Sequence, residues 1–452
     1  MYTLIPILTV MGADLWPAVA AAPKGADFSQ ETWWISLIKA LIIIVTLILY
    51  VLLALWVERR GLGRIQTRPG PNVRGPLGLL QAVADAGKMV FKENFRLKGA
   101  DTLIYLVSPI LVAFTAFAIF ALIPFGPNVT IGGISTPLQL FDSGVATLIV
   151  LAISSIGIYG IVLGGWSANS PFPLLGSVRS TAQVISYELA MGTALVSVFI
   201  MAGSMSTSEI VEAQKDPSWL LGLLPAFIVY LIASFGETNR LPFDLTECES
   251  ELVAGHQTEY SGMNFAWYYL AEYINIFNVS AVAVTMFLGG YKAPWPWDFM
   301  NPVTGSPWWG ILWFTLKVWF LFWIFVWVRG TQVRFRYDQF MNLGWKVLIP
   351  VGFVWMIAVA WIKALPVFFG FNSQQIMIAV AGVCVVLLVI VMLIPVKKAK
   401  PVADKPFDPM ADGFPVPPLP GQELPPSPRS GLLKVTPNIP AETAITGGKE
   451  EK

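Results

Sequence analysis

The stretch WISLIKALIIIVTLILYVLLALWV, Trp34–Val57, carries a single charge, Lys39. A helix needs about 20 apolar residues to cross the roughly 30 Å hydrocarbon core of a bilayer, and this run is long enough. Eight further runs of the same kind lie at 102–124, 145–166, 182–203, 219–236, 265–290, 307–328, 344–365 and 375–395. The composition agrees: of 452 residues 55% are hydrophobic and 13% charged, with a mean hydropathy of +0.65, far from soluble averages. The chain is therefore expected to be an all-α polytopic membrane protein of about nine transmembrane helices.

The loops set the topology. Loops 58–101, 167–181, 237–264 and 329–346 hold 15 Lys and Arg, whereas the intervening loops hold only Lys215 and Lys292. The positive-inside bias puts the first set in the cytoplasm, the N-terminus outside and the C-terminus inside, as in a bacterial plasma membrane. Three regions follow: a periplasmic segment 1–33, a transmembrane domain 34–395 and a cytoplasmic tail 396–452. Met1–Pro23 lacks a basic n-region and does not read as a cleaved signal peptide. The tail holds 12 prolines in 57 residues and too few large apolar side chains to fold alone, so disorder is expected there. Cys248 and Cys384 have no CxxC neighbour, and His256 is the only histidine. The two cysteines by themselves cannot frame a cluster or a zinc centre, and a haem held by this chain alone is not expected. A net charge of +1 gives no sign of nucleic-acid binding, and the lipid bilayer is the first partner implied.

Between the first two spans, the segment from Glu58 is rich in Gly, Pro and Arg and is expected to be irregular. Pro76 is well placed as a first helical residue. From there Leu77, Leu80, Ala84, Gly87 and Phe91 share one helical face, with Gln81, Asp85, Lys88 and Lys92 along a polar stripe. This pattern describes an amphipathic helix on the membrane surface, either a plain interfacial anchor or one wall of a site. The arginines before it (Arg59, Arg60, Arg64, Arg68, Arg74) either fix topology or hold an acidic partner.

Charges also stand where lipid is expected: Glu188 about two turns into the fourth span, Glu272 similarly deep in the sixth, and Lys317 in the seventh. Each costs about 2.5–3.5 kcal/mol to insert, so such groups face a bundle interior or a wet cavity. They serve either as interhelical polar contacts or as a proton path, since buried carboxyls exchange protons near neutrality. The cytoplasmic stretch FGETNRLPFDLTECESELVAGHQTEYSG, 235–262, places Glu237, Asp244, Glu247, Glu249, Glu251 and Glu259 around one cation, Arg240. If Pro242 starts a helix, Asp244, Glu247 and Glu251 share a face. Carboxylates that close do not all ionise, which suits a proton reservoir or charge sensor.

Four segments together resemble one family: ERRGLGRIQTRPGPN with LGLLQAVADAGKMVFKE, SANSPFPLLGSVRSTAQVISYELA, GETNRLPFDLTECESELVAG with TEYSG, and RFRYDQFMNLGWK. The resemblance is to the quinone-site membrane subunit of respiratory NADH:quinone oxidoreductase, and it covers roughly 34–395. It implies an enzyme subunit with no complete active site of its own. Such a subunit docks the peripheral redox arm, forms much of the quinone chamber and couples quinone reduction to proton translocation. Quinone, ubiquinone or menaquinone, is the substrate, and FMN and iron–sulfur clusters belong to partner subunits. By motif, Glu58, Arg59, Arg68, Asp85, Lys88 and Arg329 line the chamber. Tyr187, Glu188, Glu237, Asp244, Glu247, Glu249, Glu251 and Glu272 carry proton coupling, and Arg179 belongs to the same stretch. The chain departs from the family pattern at Thr246, Cys248, His256, Gln257 and Val333, which bears on loop shape rather than on the acids. A related subunit of membrane-bound hydrogenases and an independent secondary transporter are the alternatives. The absence of an internal repeat counts against the transporter.

Overall fold

The computed structural model describes residues 26–369 and Gly382, apart from 74, 96, 132, 215–217, 245–252, 295–296, 298–301 and 303–305. Among the described residues there are twelve α-helices. They are α1 Trp33–Ile65, α2 Leu80–Phe91, α3 Thr102–Ile119, α4 Ala146–Ser167, α5 Pro171–Ala202, α6 Thr207–Ala213, α7 Ser218–Gly222, α8 Leu224–Glu237, α9 Gly262–Phe287, α10 Trp309–Thr331, α11 Tyr337–Leu343 and α12 Ile349–Phe369. A π-helical turn, Gly344–Leu348, joins α11 and α12 into one span. Among the described residues seven helices are long and apolar enough to cross a membrane, and α8 is a shorter apolar helix. The protein is an all-α polytopic membrane protein. The predicted span 375–395 and the proline-rich tail lie outside the described residues.

Local chemistry explains the boundaries. Asp101 caps α3, its side chain accepting from the Leu103 N–H at 3.3 Å. Pro171 occupies the first turn of α5, where its missing N–H costs nothing. That helix ends at Gly203, whose φ of 77° lets its N–H reach the Phe199 carbonyl at 2.8 Å. α5 thus begins well before the predicted 182, and Glu188 lies near its middle. Between α3 and α4 a short hairpin not expected from the sequence pairs β1, Asn128–Ile131, with β2, Ile134–Pro137.

Two expectations need correction. The Gly- and Arg-rich segment after Val57 is not irregular at its start: α1 continues to Ile65. Its glycines serve close approach rather than a turn, because a Cβ on Gly61 would meet Val326 at 3.2 Å and one on Gly63 the Arg68 carbonyl at 3.0 Å. Nor does a helix start at Pro242. Leu241–Phe243 form a turn closed by the Phe243 N–H on the Arg240 carbonyl at 2.8 Å. Arg240 is drawn inward by buried acids, and the chain turns back behind it.

α9 is the most buried span, and it touches α1, α2, α3, α5, α6, α8 and α10. Lipid is as apolar as leucine, so spans associate through close packing and polar contacts rather than hydrophobic exclusion. α4 supplies small residues for this. A Cβ on Gly164 would collide with the Tyr268 hydroxyl and stand 2.7 Å from Ser108 Oγ. Lys317 is half-buried. Its ammonium donates to the carbonyls of Leu288, Gly290 and Lys292 at 2.6, 3.0 and 2.7 Å, closing the end of α9. Gly164→Leu should separate α4 from α3 and α9, at a cost exceeding the ~1–3 kcal/mol of ordinary overpacking. The chain should then disappear from the membrane fraction on blotting. Normal levels with unchanged thermal stability would show that this contact is not close.

Candidate functional site

Two features meet at the basic-loop end of the bundle: a buried cluster of charges and a large apolar cavity. The cluster is centred on Glu58, which is 4% exposed although it lies within α1. Its Oε2 accepts from the Tyr273 hydroxyl at 2.6 Å. Its Oε1 pairs with Arg240 Nη1 at 3.2 Å and, still more closely, with Arg329 of α10. Arg240 also pairs through Nε with Glu272 Oε1 at 2.7 Å, and its guanidinium lies 4.2 Å over the Tyr273 ring. Two acids and two arginines cancel formally, which is how such charges are tolerated away from water. Burial works against the Arg240 charge, but Glu272 and then Glu58 outweigh it and raise its pKa well above the ordinary value.

Beside the cluster, an apolar cavity of about 1030 Å³ runs between α1, α2, α3 and α9. Ile48, Leu52, Phe114, Phe117 and Leu270 are among its walls, and Arg59, Asp85, Lys88 and Tyr269 supply its polar groups. Arg59 forms a close ion pair with Asp85, and Gln81 Nε2 donates to the other Asp85 oxygen at 3.0 Å. The cavity-facing part of α2 is Asp85, Ala86, Lys88, Met89 and Val90. Ala84 and Gly87, on the predicted apolar face, are not in that wall.

A second, polar cavity of about 70 Å³ lies among α3, α4, α5, α8 and α9. Glu237, Asn239, His256 and Glu272 line it, so Glu272 belongs to both the cluster and this cavity. Glu237 Oε2, Asn239 Oδ1 and His256 Nδ1 are buried without a hydrogen-bond partner among the described residues. Gln183 of α5 holds this region together, donating to the carbonyls of Gly236 at 2.8 Å and Phe243 at 2.9 Å. Burial lowers the His256 pKa to about 4 from an ordinary 6.5. An unfolded histidine takes up a proton that this one refuses, so His256 subtracts stability as pH falls from about 6.5 to about 4.

The remaining residues singled out from the sequence fall as follows. Glu188 accepts from Ser154 at 3.2 Å and more closely from Ser155, on the α4–α5 face. The Tyr187 hydroxyl is committed to the Phe340 carbonyl at 2.9 Å, and its ring stacks on Phe340 at 4.2 Å. Arg179 lies 5.2 Å over the Tyr337 ring. Arg68 stands exposed in the turn after α1. The Asp244 carbonyl accepts closely from Arg334. Glu247, Glu249 and Glu251 lie outside the described residues. Among the described residues no three His, Cys, Asp or Glu side chains converge as a metal site requires. Sequence reasoning missed Arg240 and Tyr273 as centres of the cluster. The available signal was a lone cation just after an apolar span, in a chain with two intramembrane acids.

Comparison with known proteins gives the family. Residues 38–360 match the model of the NADH dehydrogenase family. A protein of Streptomyces avermitilis, named as a subunit of NADH-quinone oxidoreductase, is 46% identical over 441 residues, covering 95% of this chain and 96% of that protein. A match to the family model across most of the chain, together with full-length similarity at this level, establishes that the chain belongs to the NADH dehydrogenase family.

Proposed function

We propose that this chain is the membrane subunit of an NADH:quinone oxidoreductase that forms much of the quinone chamber and passes the charge change of quinone reduction into buried carboxyls. The observation that carries this reading is the apolar cavity of about 1030 Å³ whose polar groups, Arg59, Asp85 and Lys88, stand beside a buried charge cluster. A quinone requires both an apolar path for its isoprenoid tail and donors for its two carbonyl oxygens. Arg59 and Lys88 are such donors, and Asp85 fixes Arg59. Electrons come from clusters in partner subunits. Two electrons and two protons convert quinone to quinol, and negative charge develops until the protons arrive.

Arg240 is suited to transmit that charge because it bridges Glu58 and Glu272. Negative charge in the chamber draws guanidinium charge towards it and away from Glu272. A carboxylate losing its cation in a buried site gains proton affinity. Glu272 then takes a proton within the polar cavity it shares with Glu237, and Glu188 continues the series towards partner membrane subunits. The acidic stretch Glu247, Glu249 and Glu251 acts on the cytoplasmic side as proton supply and charge sensor. The basic loops face the cytoplasm and dock the peripheral arm.

Ala86 lines the cavity, so Ala86→Trp should raise the apparent KM for quinone about tenfold, equivalent to ~1.4 kcal/mol of lost binding. NADH oxidation by a hydrophilic acceptor should not change. Unaltered quinone kinetics and unaltered inhibition by quinone-site blockers in assembled membranes would remove the cavity from the quinone path. The double variant Glu247→Gln with Glu251→Gln removes charge but nearly preserves shape. It should leave subunit content and hydrophilic-acceptor activity intact while NADH:quinone activity and its linked proton uptake fall together. Normal quinone reduction with normal pumping in that variant would refute a coupling role for the loop.

A further inference from the structure

His256 has no part in the charge cluster, yet it is buried. It is 5% exposed, sits in the short turn Gly255–Gln257 and packs on α4 and α5. The approach is close: a Cβ on Gly176 of α5 would lie 2.6 Å from Gly255 Cα and 3.0 Å from the His256 nitrogen. Its ring meets Tyr268 of α9 edge to face at 5.1 Å. The turn is therefore fixed against three spans, and the imidazole forms part of the wall of the polar cavity.

That cavity also has a water-binding character. Three of its lining residues, Glu237, Asn239 and His256, each present a buried oxygen or nitrogen without a hydrogen-bond partner among the described residues. Buried polar atoms are almost always satisfied by protein or ordered water. A volume of about 70 Å³ admits about two waters at ~30 Å³ each. The titratable side chains lining it are Glu237, Glu272, Tyr268 and His256. Tyr268 is engaged with Ser108, Arg240 neutralises Glu272 from the loop, and α3, α4 and α5 contribute no titratable group to the lining.

We infer that His256 is a proton-relaying residue of this cavity, exchanging a proton with Glu237 and Glu272 through water held between them. In the step, the O–H bond of a protonated carboxyl breaks, a water passes the proton on, and an N–H bond forms at Nδ1. The products are a carboxylate and an imidazolium, with charge conserved. Burial disfavours the imidazolium, so the imidazole is neutral at rest and holds the relayed proton only transiently. The newly ionised carboxylate supplies a negative field that opposes the penalty of burying the imidazolium, and the proton returns when that carboxyl is needed again. This inference rests on the proton-coupling reading above, but the residue it names lies outside the carboxylate series.

The test uses the intact enzyme in its own membranes with three variants: His256→Phe, His256→Asn and Glu237→Gln. Phe keeps a ring against Tyr268 without nitrogen, and Asn keeps polarity without titration. Subunit content and NADH oxidation by a hydrophilic acceptor serve as controls. In both His256 variants the quinone-linked rate should fall at least about tenfold, below the ~10²-fold that a fully committed acid–base group contributes. The pH profile of that rate should shift and its solvent deuterium isotope effect should rise, readouts that packing alone does not move. A loss of coupling in Glu237→Gln with wild-type rate, pH profile and isotope effect in both His256 variants would overturn the relay and leave the carboxylate path standing. Undiminished coupling in Glu237→Gln would instead remove the path itself. Failure of both His256 variants to assemble would make His256 a packing residue and overturn the relay as well.

Discussion

A carboxylate buried inside a membrane bundle is untenable alone, and the organisation of this protein follows from how Glu58 is neutralised. Two arginines from distant parts of the chain and the Tyr273 hydroxyl converge on its two oxygens. Each partner fixes a different element: Arg329 brings α10 to α1, Tyr273 brings α9, and Arg240 brings in the loop after α8. Removing one member of such a group leaves an uncompensated buried charge, which costs about 3–5 kcal/mol. The chain turns at Leu241–Phe243 just after Arg240, so no helix starts at Pro242. Glu58 and Arg59 project from a rigid element because α1 stays helical to Ile65.

This arrangement also explains why the two cavities differ so much in character. The large one is bounded by aliphatic and aromatic side chains and touches charge only at Arg59, Asp85 and Lys88. The small one mixes aliphatic walls with Glu237, Asn239, His256 and Glu272, and three of these residues carry unsatisfied oxygen or nitrogen atoms. Between them stands a cluster whose charges cancel at rest. A neutral but polarisable divider responds to charge on one side by changing proton affinity on the other, without a large movement. Under the proposed function, coupling of this kind needs only that Arg240 has a differential preference for Glu58 and Glu272 when a bound quinone is oxidised or reduced.

Much of this was legible in the residues. Of the nine spans that hydropathy implies, seven are long apolar helices among the described residues, 219–236 is broken into α7 and the shorter α8, and 375–395 lies outside the described residues. The roles given to Glu58, Arg59, Asp85, Arg329 and Glu272 come from motif. The errors have physical causes. Glycines in the α1 extension looked like turn signals, but they are there because Val326 and the Arg68 carbonyl approach too closely for a side chain. The polar stripe of α2 was read correctly at Asp85 and Lys88, whereas the apolar wall is rotated to Ala86, Met89 and Val90. Periodicity alone does not show which side of a surface helix faces a cavity. Arg240 could not be assigned from sequence, because its partners Glu58 and Glu272 come from spans far away in the chain. Lys317 looked like an intramembrane charge in need of a role, and three carbonyls at the end of α9 account for it.

The central claim is that Glu58 and Arg240 act as one unit that both holds the bundle and carries charge between the cavities. A double-mutant cycle over Glu58→Gln and Arg240→Gln tests it, read on the same membranes as thermal inactivation and as the rate of proton-coupled quinone reduction. If the two side chains form one unit, each single change impairs both readouts and the double variant is far less impaired than the sum, with a coupling energy above ~1 kcal/mol. Additive losses within ~0.5 kcal/mol in both readouts would mean that the two residues act independently, and would contradict the account.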